Sequence, residues 1–347
     1  EENKMATLLS NQSAVARNPV IQPKGTSTVL FNTSSYKYFF YTDNPEAVTT
    51  ACLADNGKWL NRSSVSGSGQ VYTWHQNKTG STINMCLLIY NPNTYGITLN
   101  VTNYGTTKSS SVIPDSAAWA NYMAGQSTST TVAAGGYGTL FLASVPNNYV
   151  YGIVARINIT NSSTSASASA TFYDLAYISN SGGATAAAPV YGSTVRGKAP
   201  SHYTTINFAA LTPPTGVNGV GYTIGAAYDT FSGSDMAYVT DESGQASGSI
   251  LGCYGQQIIV NLPITNTTGT ARNFRIFIGT QASPGKAFPF ASIGGSSITY
   301  TSGIDAGLVR DVIDTGTIAN NSTTTVSFTT AVPAVSSTAY VIGVRAV

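Results

Sequence analysis

Two stretches of sequence decide the fold that we expect for this chain. Residues 85–101 read MCLLIYNPNTYGITLNV, and residues 259–276 read IVNLPITNTTGTARNFRI. In each, an apolar run enters a turn led by an asparagine, Asn91 or Asn266, and a second such run follows. Aliphatic and β-branched runs on both sides of an Asn-led turn are typical of two strands joined by a short connection.

The same order of features continues downstream in both halves. The runs GTLFLASVP (138–146) and TTVSFTTAVP (324–333) each precede a further apolar run, YVYGIVAR (149–156) and YVIGVR (340–345). The offset between the halves is 175 residues at the Asn turn and 187 at the Val-Pro pair. We therefore predict an internal duplication of one β-sandwich. Independent strand-and-turn composition in the two halves is the alternative.

Strand-forming residues also dominate the rest of the chain, and no helical period is sustained for three turns. The best candidate for a short helix is 114–124. The pattern predicts an all-β protein of two tandem β-sandwich (jelly-roll-like) domains with an N-terminal extension. The predicted boundaries are 1–19 for the extension, 20–185 for domain 1, 186–198 for a linker and 199–347 for domain 2.

Charge is scarce in this chain. Of its 347 residues only 9% are charged, against about 25% in an average soluble domain, and the net charge is +2. This composition excludes a disordered chain and a basic nucleic-acid-binding face. No apolar run is long enough to span a membrane.

The first residue, Glu1, and the frequency of Asn-x-Ser/Thr triplets favour a secreted protein at the cell surface or outside the cell. Possible glycosylation sites are Asn11, Asn32, Asn61, Asn77, Asn100, Asn158, Asn161, Asn266, Asn320 and Asn321. Cys52 and Cys86 could form a disulfide, and the alternative is buried free thiols. Cys253 is left over in either case.

Catalytic chemistry is not evident in the sequence, so we expect no enzyme and no cofactor. His75 and His202 lack neighbours at metal-ligand spacing, and His75 is expected to be a surface or packing residue. Weak calcium candidates are Asp229, Asp235, Asp241 and Glu242, although turns also recruit acidic residues. A glycosidase acid pair would need two carboxylates across a cleft, which the sequence does not indicate.

Aromatic residues are abundant, and the run Tyr36–Tyr41 has them on both faces of a strand. Such a strand is expected in the core or at an interface. A sugar-binding platform is the less favoured interpretation.

The N-terminal residues Met5, Leu8, Leu9, Val15 and Val20 are apolar in a polar context. This segment could pair within its own sandwich, remain a tail, or add as a strand to a neighbouring subunit. With its sandwich pattern, the chain resembles the secreted β-sandwich filament subunits of bacteria and archaea that polymerise by donor-strand complementation. The resemblance implies head-to-tail polymerisation through residues near 1–20.

Low charge supports self-association, because Lys and inward-pointing charges are the usual protection of exposed sheet edges. We therefore expect a self-assembling extracellular structural protein, a homopolymer in a filament, sheath or surface layer. A viral capsid protein with a duplicated jelly roll is one alternative. A secreted adhesin or carbohydrate-binding module, with glycans as its partner, is the other.

Overall fold

The structure of the chain, a computed structural model, describes residues 6–110, 115–201, 203–225, 233–281, 283–300 and 302–347. Strands form most of the regular structure in these residues, and the helix α1 (Ser116–Met123) lies within the stretch where a short helix is expected. The all-β prediction is confirmed. Within the described residues, no helix has the length and apolar character needed to cross a membrane.

Two compact units divide the chain. Domain A comprises 32–202 and 237–250, and domain B comprises 6–31, 203–236 and 251–347, each as far as described. The division differs from the predicted boundaries, because residues before Phe31 belong with the second half of the chain. The predicted linker, 186–198, belongs to domain A.

Four short strands come first in the chain: β1 (Thr7–Leu8), β2 (Val15–Ala16), β3 (Val20–Ile21) and β4 (Thr28–Phe31). Domain A then contributes β5 (Tyr38–Thr42), β6 (Ala47–Val48), β7 (Lys58–Trp59), β8 (Asn61–Ser66), β9 (Ser68–Asn77), β10 (Ile83–Tyr90), β11 (Ile97–Ser109), β12 (Thr128–Val132), β13 (Tyr137–Val145), β14 (Val150–Asn161), β15 (Ser169–Tyr177), β16 (Ala186–Ala187) and β17 (Arg196–Ala199). Short 3-10 helices occupy Thr50–Cys52 and Ala54–Asn56.

The remaining strands are β18 (Tyr203–Asn207), β19 (Val220–Ile224), β20 (Tyr238–Val239), β21 (Gly248–Ser249), β22 (Gln257–Asn266), β23 (Arg272–Thr280), β24 (Lys286–Ala287), β25 (Phe290–Ile293), β26 (Ser296–Thr299), β27 (Ile304–Asp305), β28 (Leu308–Ile318), β29 (Ser322–Thr330) and β30 (Tyr340–Ala346). A third 3-10 helix occupies Gly233–Asp235. All of these elements belong to domain B except β20 and β21, which belong to domain A.

Domain A is a sandwich of two sheets in jelly-roll order. Its small sheet has the order β13-β10-β15-β8, and its large sheet the order β12-β11-β14-β9-β5-β17. If β8 to β15 are numbered one to eight, the small sheet holds strands 1-8-3-6 and the large sheet 2-7-4-5, which is the jelly-roll arrangement. The additional strand β5 runs parallel to β9.

Domain B repeats this strand order. Its small sheet contains β28-β23-β30-β19, and its large sheet has the order β26-β25-β29-β22-β18-β4. The strand β18 runs parallel to β22, as β5 does to β9 in domain A. Both domains are therefore complete jelly rolls with the same added strand. Their common origin by duplication stays a prediction.

The predicted alignment of the two halves is wrong by one strand. Strand β22 occupies the position of β9, not of β10, and β23 occupies that of β10. Accordingly Asn266 corresponds to Asn77, which ends β9, and not to Asn91. The alignment failed because strand-and-turn composition looks alike at every hairpin.

One hydrogen-bond pattern is shared by these two turns. The Asn77 side chain is fully buried, and its Nδ2 donates to the carbonyls of Ser81 at 2.7 Å and Val145 at 2.8 Å. Its Oδ1 accepts from the amide of Thr79 at 2.9 Å. This asparagine therefore joins its own turn to the end of β13.

The turn led by Asn266 is built in the same way. Its buried Nδ2 donates to the carbonyls of Thr270 and Ile318, both at 2.8 Å. Its Oδ1 accepts from the amide of Thr268 at 3.0 Å. The sequences are NKTGS and NTTGT, so the short signal N-x-T-G-[ST] marks an equivalent turn in each domain.

The core of domain A lies between its two sheets. Strand β5 is buried on both faces, as predicted for the aromatic run. On one face the rings of Tyr38 and Phe40 pack edge-on against Phe172. On the other face Tyr41 stacks on Tyr72 with the ring planes 10° apart. The aromatic run is therefore a core strand and not a sugar platform.

Replacement of Asn77 by alanine tests the importance of the buried turn. We expect Asn77→Ala to lower the free energy of unfolding by about 2–4 kcal/mol, because it leaves the carbonyls of Ser81 and Val145 without their donor. Urea unfolding measures the change. The matched control is Asn100→Ala, a half-buried strand asparagine, which should cost under about 1 kcal/mol. Equal losses in the two variants would contradict this role.

Candidate functional site

Residues 6–31, which we call the assembly segment, run along the edges of domain B. Strand β1 pairs antiparallel with the middle of β28, at Ile313 and Asp314, and β2 pairs antiparallel with its first two residues. Strand β3 then pairs in parallel with β19 at the opposite edge of the same small sheet. Strand β4 pairs with β18 in the large sheet. The segment therefore lies along both outer strands of the small sheet.

Main-chain hydrogen bonds hold the segment at these edges. The amide of Leu9 donates to Val312 at 2.9 Å, and that of Arg17 to Gly307 at 3.0 Å. On the other side Gln22 donates to Gly221 at 2.8 Å. Such bonds need no particular side chain, so an equivalent edge on another copy of the chain offers the same partners.

Some side chains of the segment contact domain B, and others are exposed. Leu8 is partly buried against the core of domain B, whereas Val15 is 44% and Val20 59% exposed. Lys24 forms an ion pair with Asp235 at 2.5 Å. Of the predicted assembly residues, Leu8, Leu9, Val15 and Val20 thus lie on an intramolecular edge, and Met5 lies outside the described residues.

Domain A lacks an equivalent of this segment in the described part of the chain. Its small sheet ends at β8 and β13, and each pairs there with one inner strand only. The nine residues of β13, Tyr137–Val145, include no charged side chain. Tyr137 and Leu142 on this strand are 64% and 58% exposed.

The calcium candidates, as far as they are described, are divided between the two domains. Asp235 belongs to domain B, whereas Asp241 and Glu242 belong to domain A. Asp241 is buried and pairs with Arg196 at 3.2 Å. Asp229 lies outside the described residues. Among the residues that are described, no group of three or more His, Cys, Asp or Glu side chains could hold a metal ion.

Three of the predicted glycosylation sites are wrong. Asn61, Asn77 and Asn266 have no exposed surface, and their Nδ2 atoms, to which a glycan would attach, donate to main-chain carbonyls. The other seven asparagines are half-buried or exposed: Asn11, Asn32, Asn100, Asn158, Asn161, Asn320 and Asn321. Their occupancy stays a prediction.

The possible disulfide is not formed. Cys52 and Cys86 are both free and buried. Cys52 packs in the core between the sheets, whereas Cys86 belongs to a separate apolar cluster with Trp59 and Leu175. Because neighbouring strand residues point to opposite faces, Cys86 points away from the core that Met85 and Leu87 enter.

An ion pair inside domain A was missed by sequence reasoning. His75, on β9 of the large sheet, is buried, and its Nε2 lies 2.8 Å from Oδ2 of Asp174 on β15 of the small sheet. Its Nδ1 lies 2.7 Å from the carbonyl oxygen of Pro45. The pair therefore bridges the two sheets. No sequence signal could have found it, since the two residues are 99 positions apart.

The surroundings of this pair favour protonation. Burial lowers the pKa of His75, but the charge and hydrogen bond of Asp174 and the contact with Pro45 outweigh it, and the net pKa is raised.

A second group of domain A, Asp43, also has a raised pKa. Burial, followed by repulsion from Glu46, raises the pKa of Asp43 to about 8. Asp43 accepts a hydrogen bond from Tyr41 at 3.3 Å. Both groups hold a proton more tightly in the folded state than in the unfolded chain.

Comparison with known proteins gives no family. No family model matches the chain, and no curated protein matches it. A solved structure of Fet3p, a multicopper oxidase that functions in iron import, is 8% identical, with 82% of this chain and 51% of that chain covered and a TM-score of 0.11.

Two further structures align at similar scores. Lac15 from a marine microbial metagenome is 10% identical, with 78% and 54% covered and a TM-score of 0.11. A mutant oxalate decarboxylase of Bacillus subtilis is 11% identical, with 99% and 78% covered and a TM-score of 0.12. The chain spans about half the length of the first two. At these scores none of the three bears on function.

Stability should fall as the pH rises from 6 to 8. Because the pKa of His75 is higher in the folded state than the unfolded value of about 6.5, protonated His75 stabilises the fold at low pH. This contribution is lost as the pH rises through the folded-state pKa. The pKa of Asp43 is also raised on folding, so its contribution to stability is likewise lost as the pH rises, between about pH 4 and pH 8. For each kcal/mol of unfolding free energy that is lost, we expect the unfolding temperature to drop by about 2–4 °C. Scanning calorimetry measures this temperature.

The variant Asp43→Asn, which cannot ionise, should flatten this dependence. Asp305→Asn is the control, because that side chain is 66% exposed and should leave the slope unchanged. A wild-type unfolding temperature that is constant from pH 6 to 8 would contradict the raised pKa values of His75 and Asp43.

Proposed function

We propose that this protein is a self-assembling extracellular structural subunit, and that the assembly segment joins one copy to the next. In the assembly, residues 6–22 leave the edges of β28 and β19 in their own domain B and pair with the same edges of a neighbour. Each subunit then gives one segment and receives one. A head-to-tail series of this kind gives a filament unless its rotation closes a ring or shell.

The observation that carries the proposal is how the segment is attached. The eight strands of the domain B jelly roll are complete without it, and β1 to β3 are only two residues long each. Exchange of an identical element between copies replaces each hydrogen bond with an equivalent one, so it costs little enthalpy. What the exchange gains is the connection between subunits.

Open edges in domain A support association as well. Strand β13 ends its sheet with no charged residue and exposes Tyr137 and Leu142. Monomeric proteins commonly protect such edges with charge, proline or a covering element. The scarcity of charge in the whole chain, 9% of residues, also weakens electrostatic repulsion between copies.

The capsid alternative also has a supporting observation. Both domains are complete jelly rolls, and this architecture is found in capsid proteins as well as in lectin domains and cupins. A shell and a filament would both be assembled from copies of this chain. Electron microscopy of the natively purified protein distinguishes closed shells from fibres or sheets.

A designed disulfide tests the exchange of the segment. Because Arg17 and Gly307 form a hydrogen-bonded pair, the adjacent pair Ala16–Leu308 is of the close, non-hydrogen-bonded type that a disulfide can bridge. In Ala16→Cys/Leu308→Cys protein that is assembled and then oxidised, we expect a ladder of covalent oligomers on a non-reducing gel. Oxidised monomer alone, from assembled material, would overturn the exchange.

The matched control uses a pair outside the segment. Tyr238→Cys/Ser249→Cys joins β20 to β21, which are strands of one short hairpin in domain A, so oxidation should give monomer only. A second control oxidises the Ala16→Cys/Leu308→Cys protein at a dilution where it is monomeric. There the bond should close within the chain.

A further inference from the structure

We propose that domain A binds a neutral oligosaccharide on the outer face of its small sheet. The site is a cavity of about 580 Å³ lined by Arg62, Leu88, Tyr137, Tyr173, Leu175 and the stretch 181–185. We call it the tyrosine groove. Its volume lies within the range of about 300–1,000 Å³ that is common for small-molecule sites.

Strand register builds the floor of the groove. Arg62 on β8 lies opposite Tyr173 on β15, which lies opposite Leu88 on β10. Phe172 points into the core, so its neighbour Tyr173 points to the outer face. These side chains therefore form one row across three hydrogen-bonded strands. A site on a sheet is held more precisely than one on loops.

The tyrosine rings supply stacking surfaces. Tyr137 lies opposite Tyr90 on the neighbouring strand, with ring centroids 4.9 Å apart, and it is 64% exposed. The C–H face of a pyranose ring packs well on an aromatic face, and the tyrosine hydroxyl remains free to hydrogen-bond at its rim. An aromatic ring this exposed contributes little to the core, so its position favours binding over stability.

The charged side chain that lines the groove, Arg62, has an oppositely charged neighbour outside the lining, which favours an uncharged ligand. Arg62 lies with its guanidinium carbon 5.5 Å from the Tyr173 ring centre and its Nε 3.6 Å from Oε2 of Glu242. Arginine only donates hydrogen bonds and glutamate only accepts them, whereas a sugar hydroxyl does both. The two charges cancel, so the groove attracts neither acidic nor basic ligands over long distances.

The far wall of the groove leaves room for the ligand. It reads Ser-Gly-Gly-Ala-Thr from 181 to 185. A Cβ atom added at Gly183 would meet no other atom within 4 Å. The amides of Gly182 and Thr185 already donate to Oδ1 of Asn180 and to the carbonyl of Gly57, both at 3.0 Å, so this wall contributes space more than hydrogen-bond donors.

The experiment is a glycan array probed with the full chain, with neutral oligosaccharides of hexoses and N-acetylhexosamines beside acidic ones. Calorimetry with the strongest neutral glycan then compares variants. We expect Tyr137→Ala to weaken binding by about tenfold or more, which is the loss of roughly 1.4 kcal/mol. Tyr137→Phe, which keeps the ring, should retain binding within about threefold.

The control is Tyr95→Ala, a tyrosine of domain A that is 38% exposed and outside the groove. It should bind like the wild type. Circular dichroism checks that each variant is folded, and Arg62→Gln gives a second variant of the groove that should bind more weakly.

Three results would overturn the proposal. The first is binding to none of the neutral glycans, and the second is binding to acidic glycans alone. The third is unchanged affinity in both Tyr137→Ala and Arg62→Gln. If Tyr137→Ala abolishes assembly and no neutral glycan binds, the occupant of the groove is a second copy of the chain and the sugar site is wrong.

Discussion

An unpaired row of N–H and C=O groups at the edge of a sheet is the constraint on which this structure depends. Each domain has two main sheets that do not close into a barrel, so each of these sheets has two outer strands. Domain B covers both edges of its small sheet with β1, β2 and β3. In domain A, as described, the equivalent edges at β8 and β13 have no strand beyond them. The two jelly rolls therefore share their strand order and differ in how their edges are covered.

Local features of this fold could be predicted from sequence, because each depends on residues close together in the chain. The doubly apolar run at β5, the helix at Ser116–Met123 and the strand-turn-strand pattern at Asn266 are of this kind. The pairing of β1 with β28 could not be predicted, since a two-residue strand has no period. The equivalence of Asn77 and Asn266 could not be predicted either. The NKTGS and NTTGT turns are recognised as equivalent only after their hydrogen bonds are known.

Buried charge was the other unpredictable part. Each charged side chain that is buried in a domain needs an oppositely charged partner beside it, and this chain has few charged residues to supply one. His75 and Asp174 bridge the two sheets of domain A, and Arg196 and Asp241 pair with no exposed side-chain surface. Breaking a buried pair costs more than the pair contributes, since it leaves an uncompensated charge. Such pairs help to determine which strands pack against each other. The hydrophobic pattern of a single strand does not reveal them, because the two partners lie on different elements.

The path of the assembly segment also has a consequence for synthesis. During translation, residues up to Phe31 emerge before domain A, and their partners in domain B emerge only from Tyr203 onwards, 172 positions later. At about 5–20 residues per second the ribosome needs roughly 10–30 s to cover that distance. For this interval the new chain has a free strand and no edge of its own to receive it. A finished copy nearby has the same edges, but they are covered by its own segment, so linkage between molecules on a polysome would require the new strand to displace that segment.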